Sequence, residues 1–370
     1  MPQLGVGKSR QHYLDFIRII AVLLVIWAHL VNVASYDTTS WKLIFGDIQL
    51  PVFQKPLQIA TLENALAFRG SSAGAVGVTL FFITSGYLMA GMSARYSRKD
   101  FLINRGFRIF PTLWIFVIIV AIMQINLGLK IDFTQFLANM FLLTGIIPKA
   151  ALIGITWTLI LEMYFYLLTA SVGRWTSKKV LAASFLLFFI HEFVSKPGFY
   201  LVEFAIVSFD ARRLLLNVSL FFLIMLVGTA MAVDKNKVSS ITVLSLTLIA
   251  LSDSRRVNKD WIGWDWNLTS IIVPILIFVI VQQISTQFPK FFSQKLFASL
   301  GDIVYPLYLF HIPVGIGSML ILRDIISNGV VLLVVSLFFV ILSSWIVHLI
   351  VEKPGISVGR KLVHSKVTQL

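Results

Sequence analysis

Apolar runs near or above the ~20 residues that a helix needs to cross a bilayer recur along this chain from residue 13 to residue 351. In lipid, each run must satisfy its own backbone N–H and C=O groups, and a single run does so as a helix. Clear runs fall at about 13–34, 74–92, 109–126, 152–172, 179–194, 213–233, 238–252, 267–286, 297–322 and 329–351, ten in all. An eleventh, 133–147, is short and ends at Pro148. The expected fold is an all-α, polytopic transmembrane helical bundle. Charged residues make up 13% of the chain, against roughly 25% in a soluble domain. No stretch is long and polar enough to be a separate soluble domain. The chain therefore reads as one transmembrane domain over 1–370, with its core at 13–356 and short cytoplasmic tails.

Charge orients the runs. The net charge of +14 would raise nucleic acid as a partner of a soluble protein. Here the cations sit in short loops between apolar runs, so no nucleic-acid partner is expected. Lys8 and Arg10 precede the first run, and Arg95, Arg98, Lys99, Arg105 and Arg108 follow the second. If 133–147 does not span, the clusters at Arg174–Lys179, Lys235–Lys237, Lys290–Lys295 and Lys353–Lys366 all fall on the same side. The positive-inside rule makes that side the cytoplasm. About ten spans, both termini cytoplasmic and a non-spanning or re-entrant 133–147 are therefore expected. The loop at 253–266 then lies outside despite Arg255, Arg256 and Lys259, and its Trp residues suit an interfacial belt. The first run is too long for a signal-peptide core and contains Arg18 and His29. The chain has no cysteine, which excludes disulfides, a thiolate zinc site, S-palmitoylation and an acyl-cysteine intermediate.

Polar groups inside such runs are costly, so each is a functional hypothesis. Arg18 and His29 are eleven residues apart, which on an α-helix is about 20° past three full turns. They share a face, with His29 roughly 16 Å further along. Asp15 is one turn before Arg18 and can pair with it. Taken singly, Arg18 could be a snorkelling anchor and His29 a helix-packing histidine; their common face argues against both. Arg105 and Arg108, at i and i+3, form a fork suited to phosphate, or else a positive-inside cluster. Glu162 lies inside a run with Tyr166 one turn on. His311 follows Tyr308 by three residues, and Pro306 and Pro313 are expected to loosen that helix, as binding sites in membranes often require. Trp157 and Thr158 precede Glu162. The small residues of FFITSGYLM, 81–89, read as helix packing. His12, His191, His348 and His364 fall near span ends or in tails and are assigned no chemistry.

Six segments taken together resemble the acyltransferase 3 family of bacterial membrane O-acyltransferases, the type that O-acetylates O-antigen and exopolysaccharide. They are LDFIRIIAVLLVIWAH with Arg18 and His29, FFITSGYLM, NRGFRIFP with Arg105 and Arg108, TWTLILEMYFY with Glu162, YPLYLFHIP with His311, and the closing VEKP. Thr158 stands where the family usually has Ser, and Tyr305-Pro306-Leu307 is unusual for the late segment. The resemblance spans roughly 13–356. It implies a multi-pass protein of the bacterial cytoplasmic (inner) membrane that transfers an acyl group, acetyl first, from acyl-CoA to a hydroxyl of a cell-surface glycan or lipid-linked sugar. Acetyl-CoA is then a co-substrate, and no cofactor is bound permanently. Besides acyl-CoA and the acceptor, the expected partners are membrane lipid and, in a homo-oligomer, other copies of the chain.

On this reading Arg18, Arg105 and Arg108 bind the donor's phosphates, with Asp15 as the structural pair of Arg18. His29 is general base or carries an acyl-imidazole. Glu162 orients or charge-balances His29, or binds the acceptor. His311 and Tyr308 bind the acceptor or protonate the leaving thiolate, and Tyr166 and Trp157 line the substrate. No metal is expected, although His29, His311 and Glu162 would form a ligand set if they met. The rivals are a secondary transporter with His29, Glu162 and Arg18 as a proton relay and a flippase of lipid-linked sugars. Neither would form a covalent product.

Overall fold

The computed structural model describes residues 11–33, 72–144, 146–147, 149–195, 211–234, 238–254 and 268–364. Among them every regular element is a helix. α1 (His12–Ile26) continues into a π-helical segment, Trp27–Val33. α2 (Ser72–Ser93), α3 (Arg98–Asn126) and the short α4 (Phe133–Met140) follow. After a 3-10 turn come α5 (Trp157–Val172), α6 (Ser177–Ser195), α7 (Ala211–Val233) and α8 (Val238–Ser254). The last group is α9 (Thr269–Gln287), the single turn α10 (Pro289–Phe292), α11 (Lys295–Leu322) and α12 (Gly329–Val347). A second π segment, His348–Glu352, joins α12 to α13 (Lys353–His364).

Eight of these helices are long and apolar enough to cross a membrane. The two remaining expected spans are α6, which carries Lys178, Lys179 and Glu192, and α8, whose apolar part is only Val238–Ala250. Both pack on α7 and on each other at the side of the bundle. Residues 133–147 do not cross. α4 has eight residues, about 12 Å of helix against ~30 Å of hydrocarbon. It folds back along the second half of α3. Trp114 Nε1 donates to the Met140 carbonyl at 3.1 Å, and Gln124 Nε2 to the Leu152 carbonyl at 2.8 Å. Asn139 both accepts from Leu152 N and donates to the Ala150 carbonyl. Lys8, Arg10, Lys235, Lys237 and Lys366, and the 253–266 loop beyond Ser254, lie outside the described residues.

Lipid gives apolar helices no reason to prefer one another over acyl chains, so close packing of small residues decides association. α2 is central on that principle, contacting α1, α5, α7 and α9. A Cβ at Gly86 would run into the Met225 carbonyl of α7, and one at Gly228 into the Ile83 carbonyl of α2. The two backbones touch only because both positions are glycine. The packing role expected of 81–89 is thus real, but it is not the whole role of that segment.

α11 is one unbroken helix through Pro306 and Pro313, contrary to the expected loosening. Inside a bundle, neighbours and local side chains take over the carbonyls that a proline leaves unbonded. α3 and the continuous helix Gly329–Val363 both exceed the membrane's thickness. They do so together, because α13 packs along the first half of α3, with Gly355 and Gly359 against Pro111 and Phe107. Residues 109–126 alone supply about 27 Å, so Arg105 and Arg108 stand at the boundary where both helices leave the hydrocarbon.

Candidate active site

α1 turns Arg18, and the π segment that continues it turns His29, toward α11. Arg18 lies 3.8 Å from Asp15 and donates to the Gly301 carbonyl at 3.4 Å. His29 meets His311, with His29 Nδ1 3.3 Å from His311 Nε2 and ring centroids 5.0 Å apart. Gly301 and His311 are ten residues apart on one helix, about 15 Å. That agrees with the separation expected along α1. The uniform 100° projection holds only to Ile26, since His29 sits in the π segment, where each turn holds an extra residue. Such segments recur at functional positions.

α5 carries a second polar stripe, Thr158, Glu162 and Tyr166 at intervals of four. Thr158 Oγ1 and Tyr308 Oη lie 2.7 Å apart and both within reach of the Ile155 carbonyl, so one hydroxyl donates to that carbonyl and the other donates to the first hydroxyl. Glu162 Oε1 accepts from Ser85 Oγ at 2.8 Å and from Tyr166 Oη at 2.6 Å. The Arg105 guanidinium lies 5.8 Å from the centroid of the Tyr166 ring, within cation–π range. From Tyr308 the path returns to the histidines, because His311 Nδ1 donates to the Tyr308 carbonyl one turn back. A seam of polar groups therefore runs from the α3 arginines through α5 to α11 and α1.

At the arginine end the charges gather. Arg18 feels Arg108, Asp15, Glu352 and Glu162, and Tyr305 feels Glu352, Glu162 and Arg108. Among the described residues, neither Arg105 nor Arg108 forms an ion pair. Arg105 Nη2 donates to Asn104 Oδ1 at 3.3 Å, but its Nε is buried with no acceptor, and the partly exposed Arg108 makes no hydrogen bond to a described residue. Buried donors are normally satisfied, so this Nε, with a second guanidinium one turn away, marks a candidate place for an anion.

The predicted residues separate into groups. Arg18, Arg105, Arg108, Asp15, Glu162 and Tyr166 come together at one end. His29, His311 and Tyr308 do so at the other. Trp157 packs between the rings of Phe82 and Phe221. Glu162 bonds to Ser85 and Tyr166 and not to the histidine pair. Among the described residues no three His, Asp or Glu groups are placed to hold a metal.

Three further residues join these groups and were given no chemical role from the sequence, although all lie in segments that carry the family resemblance. Ser85 binds Glu162. Tyr305 Oη ties α11 to the Ile109 carbonyl, directly after Arg108, at 3.0 Å. Glu352 is buried, takes His348 Nδ1 at 2.7 Å on one oxygen and leaves Oε1 without a partner. The available signals were a serine among packing residues and a carboxylate at the foot of an apolar run, both faint.

An all-helical bundle whose interior joins unpaired guanidiniums to paired imidazoles has the layout of a multi-pass membrane enzyme. The chain belongs to the acyltransferase 3 family: the family's model, an acyltransferase domain, matches residues 11–349. No curated protein and no solved structure matches it. The protein is a membrane acyltransferase.

Proposed function

We propose that this protein transfers an acyl group, acetyl first, from acyl-CoA to a hydroxyl of a cell-surface glycan or lipid-linked sugar at the bacterial cytoplasmic membrane. The observation that carries the reading is the pairing of two ends. Arg105 and Arg108 form no ion pair with a described residue and share an end of the bundle with Arg18, and about 15 Å along α11 from the Gly301 carbonyl that Arg18 binds, two imidazoles meet. An extended pantetheine arm has a comparable length. Phosphates held by Arg105, Arg108 and Arg18 through charge-assisted bonds would bring the thioester toward His29.

There His29 Nε2 takes the proton of the acceptor hydroxyl as its oxygen attacks the thioester carbon. The C–S bond breaks, and the CoA thiolate takes that proton back from the imidazolium. In transfer through an acyl-imidazole, His29 Nε2 attacks the thioester first and the CoA thiolate leaves; the acceptor oxygen then attacks the acyl-imidazole, the C–N bond breaks, and the hydroxyl proton passes to the thiolate. Glu162, held by Ser85 and Tyr166, balances the guanidinium charge from α5.

The test is the purified protein in lipid vesicles, supplied with acyl-labelled acyl-CoA and a lipid-linked sugar. Equal amounts of free CoA thiol and O-acyl ester are expected. Movement of sugar with no ester would establish a transporter or flippase instead. The donor is cytoplasmic, so reporters fused at Lys178 and after Lys353 should both report cytoplasm; a report of the outer side at both would reverse the orientation.

A further inference from the structure

We infer that His311 is the positioning residue of His29: its Nε2 accepts the Nδ1–H of the catalytic imidazole and holds the positive charge that ring acquires during transfer. The inference rests on the acyltransferase reading above and assigns His311 a role that touches neither acceptor nor thiolate.

The direction of the hydrogen bond follows from two carbonyls. A carbonyl oxygen only accepts. His311 Nδ1 faces the Tyr308 carbonyl, so that nitrogen carries the hydrogen, and Nε2 of the neutral ring is the acceptor. His29 Nδ1 lies 2.9 Å from the Val25 carbonyl, so it carries the hydrogen of its own ring. One N–H therefore stands between two acceptors, Val25 O and His311 Nε2 at 3.3 Å. His29 Nε2 is left as the basic nitrogen. When Nε2 gains a proton, the Nδ1–H···Nε2 bond to His311 becomes charge-assisted and strengthens. A third group orienting the base is the recurrent logic of activated nucleophiles. Here a neutral imidazole fills the place where a carboxylate often stands, which suits an interior where an unpaired charge is costly.

The helices are built to keep the rings in contact. His311 is fully buried. One turn beyond it Gly315 lies against Leu30, the residue after His29, and a Cβ there would fall 2.9 Å from both Leu30 methyls. Below the pair, the Tyr308 hydroxyl is bonded to Thr158, so α5 fixes the turn whose carbonyl sets the His311 tautomer.

The experiment pairs kinetics with nitrogen NMR on protein labelled with 15N-histidine in lipid, with His29 and His311 assigned by the loss of each signal on substitution. The wild type should show both rings protonated at Nδ1. His311→Phe, which keeps a ring but no acceptor, should lower kcat by roughly 10- to 150-fold, the worth of a hydrogen bond to a charged group, with KM for acyl-CoA unchanged. His311→Gln, whose amide oxygen reaches the place of Nε2, should recover most of that loss. A His311 ring protonated at Nε2 would make it a donor and overturn the inference. So would wild-type kcat in His311→Phe, or equal loss in Phe and Gln variants that insert normally. If the wild type transfers no acyl group at all, the proposed function fails, while the NMR tautomers still decide the pairing of the two rings.

Discussion

Two buried histidine sites in this bundle share a local chemistry but differ in what surrounds them. His191 of α6 and Ser219 of α7 are both buried, with Nδ1 and Oγ 2.9 Å apart. Ser219 gives its hydrogen to the Leu216 carbonyl of its own helix, so His191 donates, and that hydrogen bond ends on a side chain folded back onto α7. The His29–His311 pair is equally enclosed, but its helices also carry Arg18 and the Gly301 carbonyl that Arg18 binds. Its seam continues through Tyr308 and Thr158 to Glu162. Burial and a hydrogen bond alone therefore do not distinguish a working histidine from a packing one in a membrane; on the proposed reading, the arginine end of the same seam does.

The strongest test of that contrast exchanges nothing but the two rings' ability to take a proton. His29→Gln keeps hydrogen bonding and should lose transfer by about 10²–10⁴-fold, whereas His191→Gln should leave turnover within a factor of about three and change only thermal stability. Comparable kcat losses in both, measured as O-acyl ester formed in vesicles, would erase the distinction. The arginine end comes next. Arg105→Ala and Arg108→Ala should each raise the apparent KM for acyl-CoA about tenfold or more, since each removes charge-assisted bonds worth about 1.5–3 kcal/mol. Lys at either position should restore only part, lacking the planar fork. Unchanged KM in folded Ala variants would leave these guanidiniums as topology signals.

Smaller effects sharpen the boundary of the site. Ser85→Ala removes one of the two hydroxyls on Glu162 but leaves Tyr166, so a fall in transfer of about tenfold at most is expected. A fully active variant would return Ser85 to packing alone. The smallest effect lies outside the seam. Asp132, exposed beside α4, is held below the usual carboxylate range by Lys149, which donates to it at 2.7 Å. A depressed carboxyl contributes above its ordinary value and loses that contribution as pH falls through the lowered one. Asp132→Asn should therefore lower the thermal midpoint slightly at neutral pH and not at all in strong acid, with transfer untouched. Loss of transfer would extend the functional region to α4.

Much was legible in the chain because lipid is a demanding solvent. Runs of apolar residues can only be helices there, so the all-α bundle followed from hydropathy. The placing of the Lys and Arg clusters marked 133–147 as non-spanning or re-entrant, and the one helix there, α4, has eight residues. The eleven-residue interval between Arg18 and His29 is a property of one helix, and both side chains do face α11. Glu162 with Tyr166 and Arg105 with Arg108 were likewise visible as neighbours on their own helices. What lies between helices was not visible. No spacing along the chain joins residue 29 to 311, 85 to 162, or 305 to 109. The first of those meetings depends on α11 approaching α1 closely at Gly301 and Gly315, against the side chains of Asp15 and Leu30, and a glycine does not announce which neighbour it will approach. Pro306 and Pro313 misled for the same reason: a proline's effect on a helix is set by the neighbours available to its freed carbonyls. The sequence alone determined which groups are buried with their helices; tertiary packing decided which of them touch, and so that the ring of His29 meets that of His311.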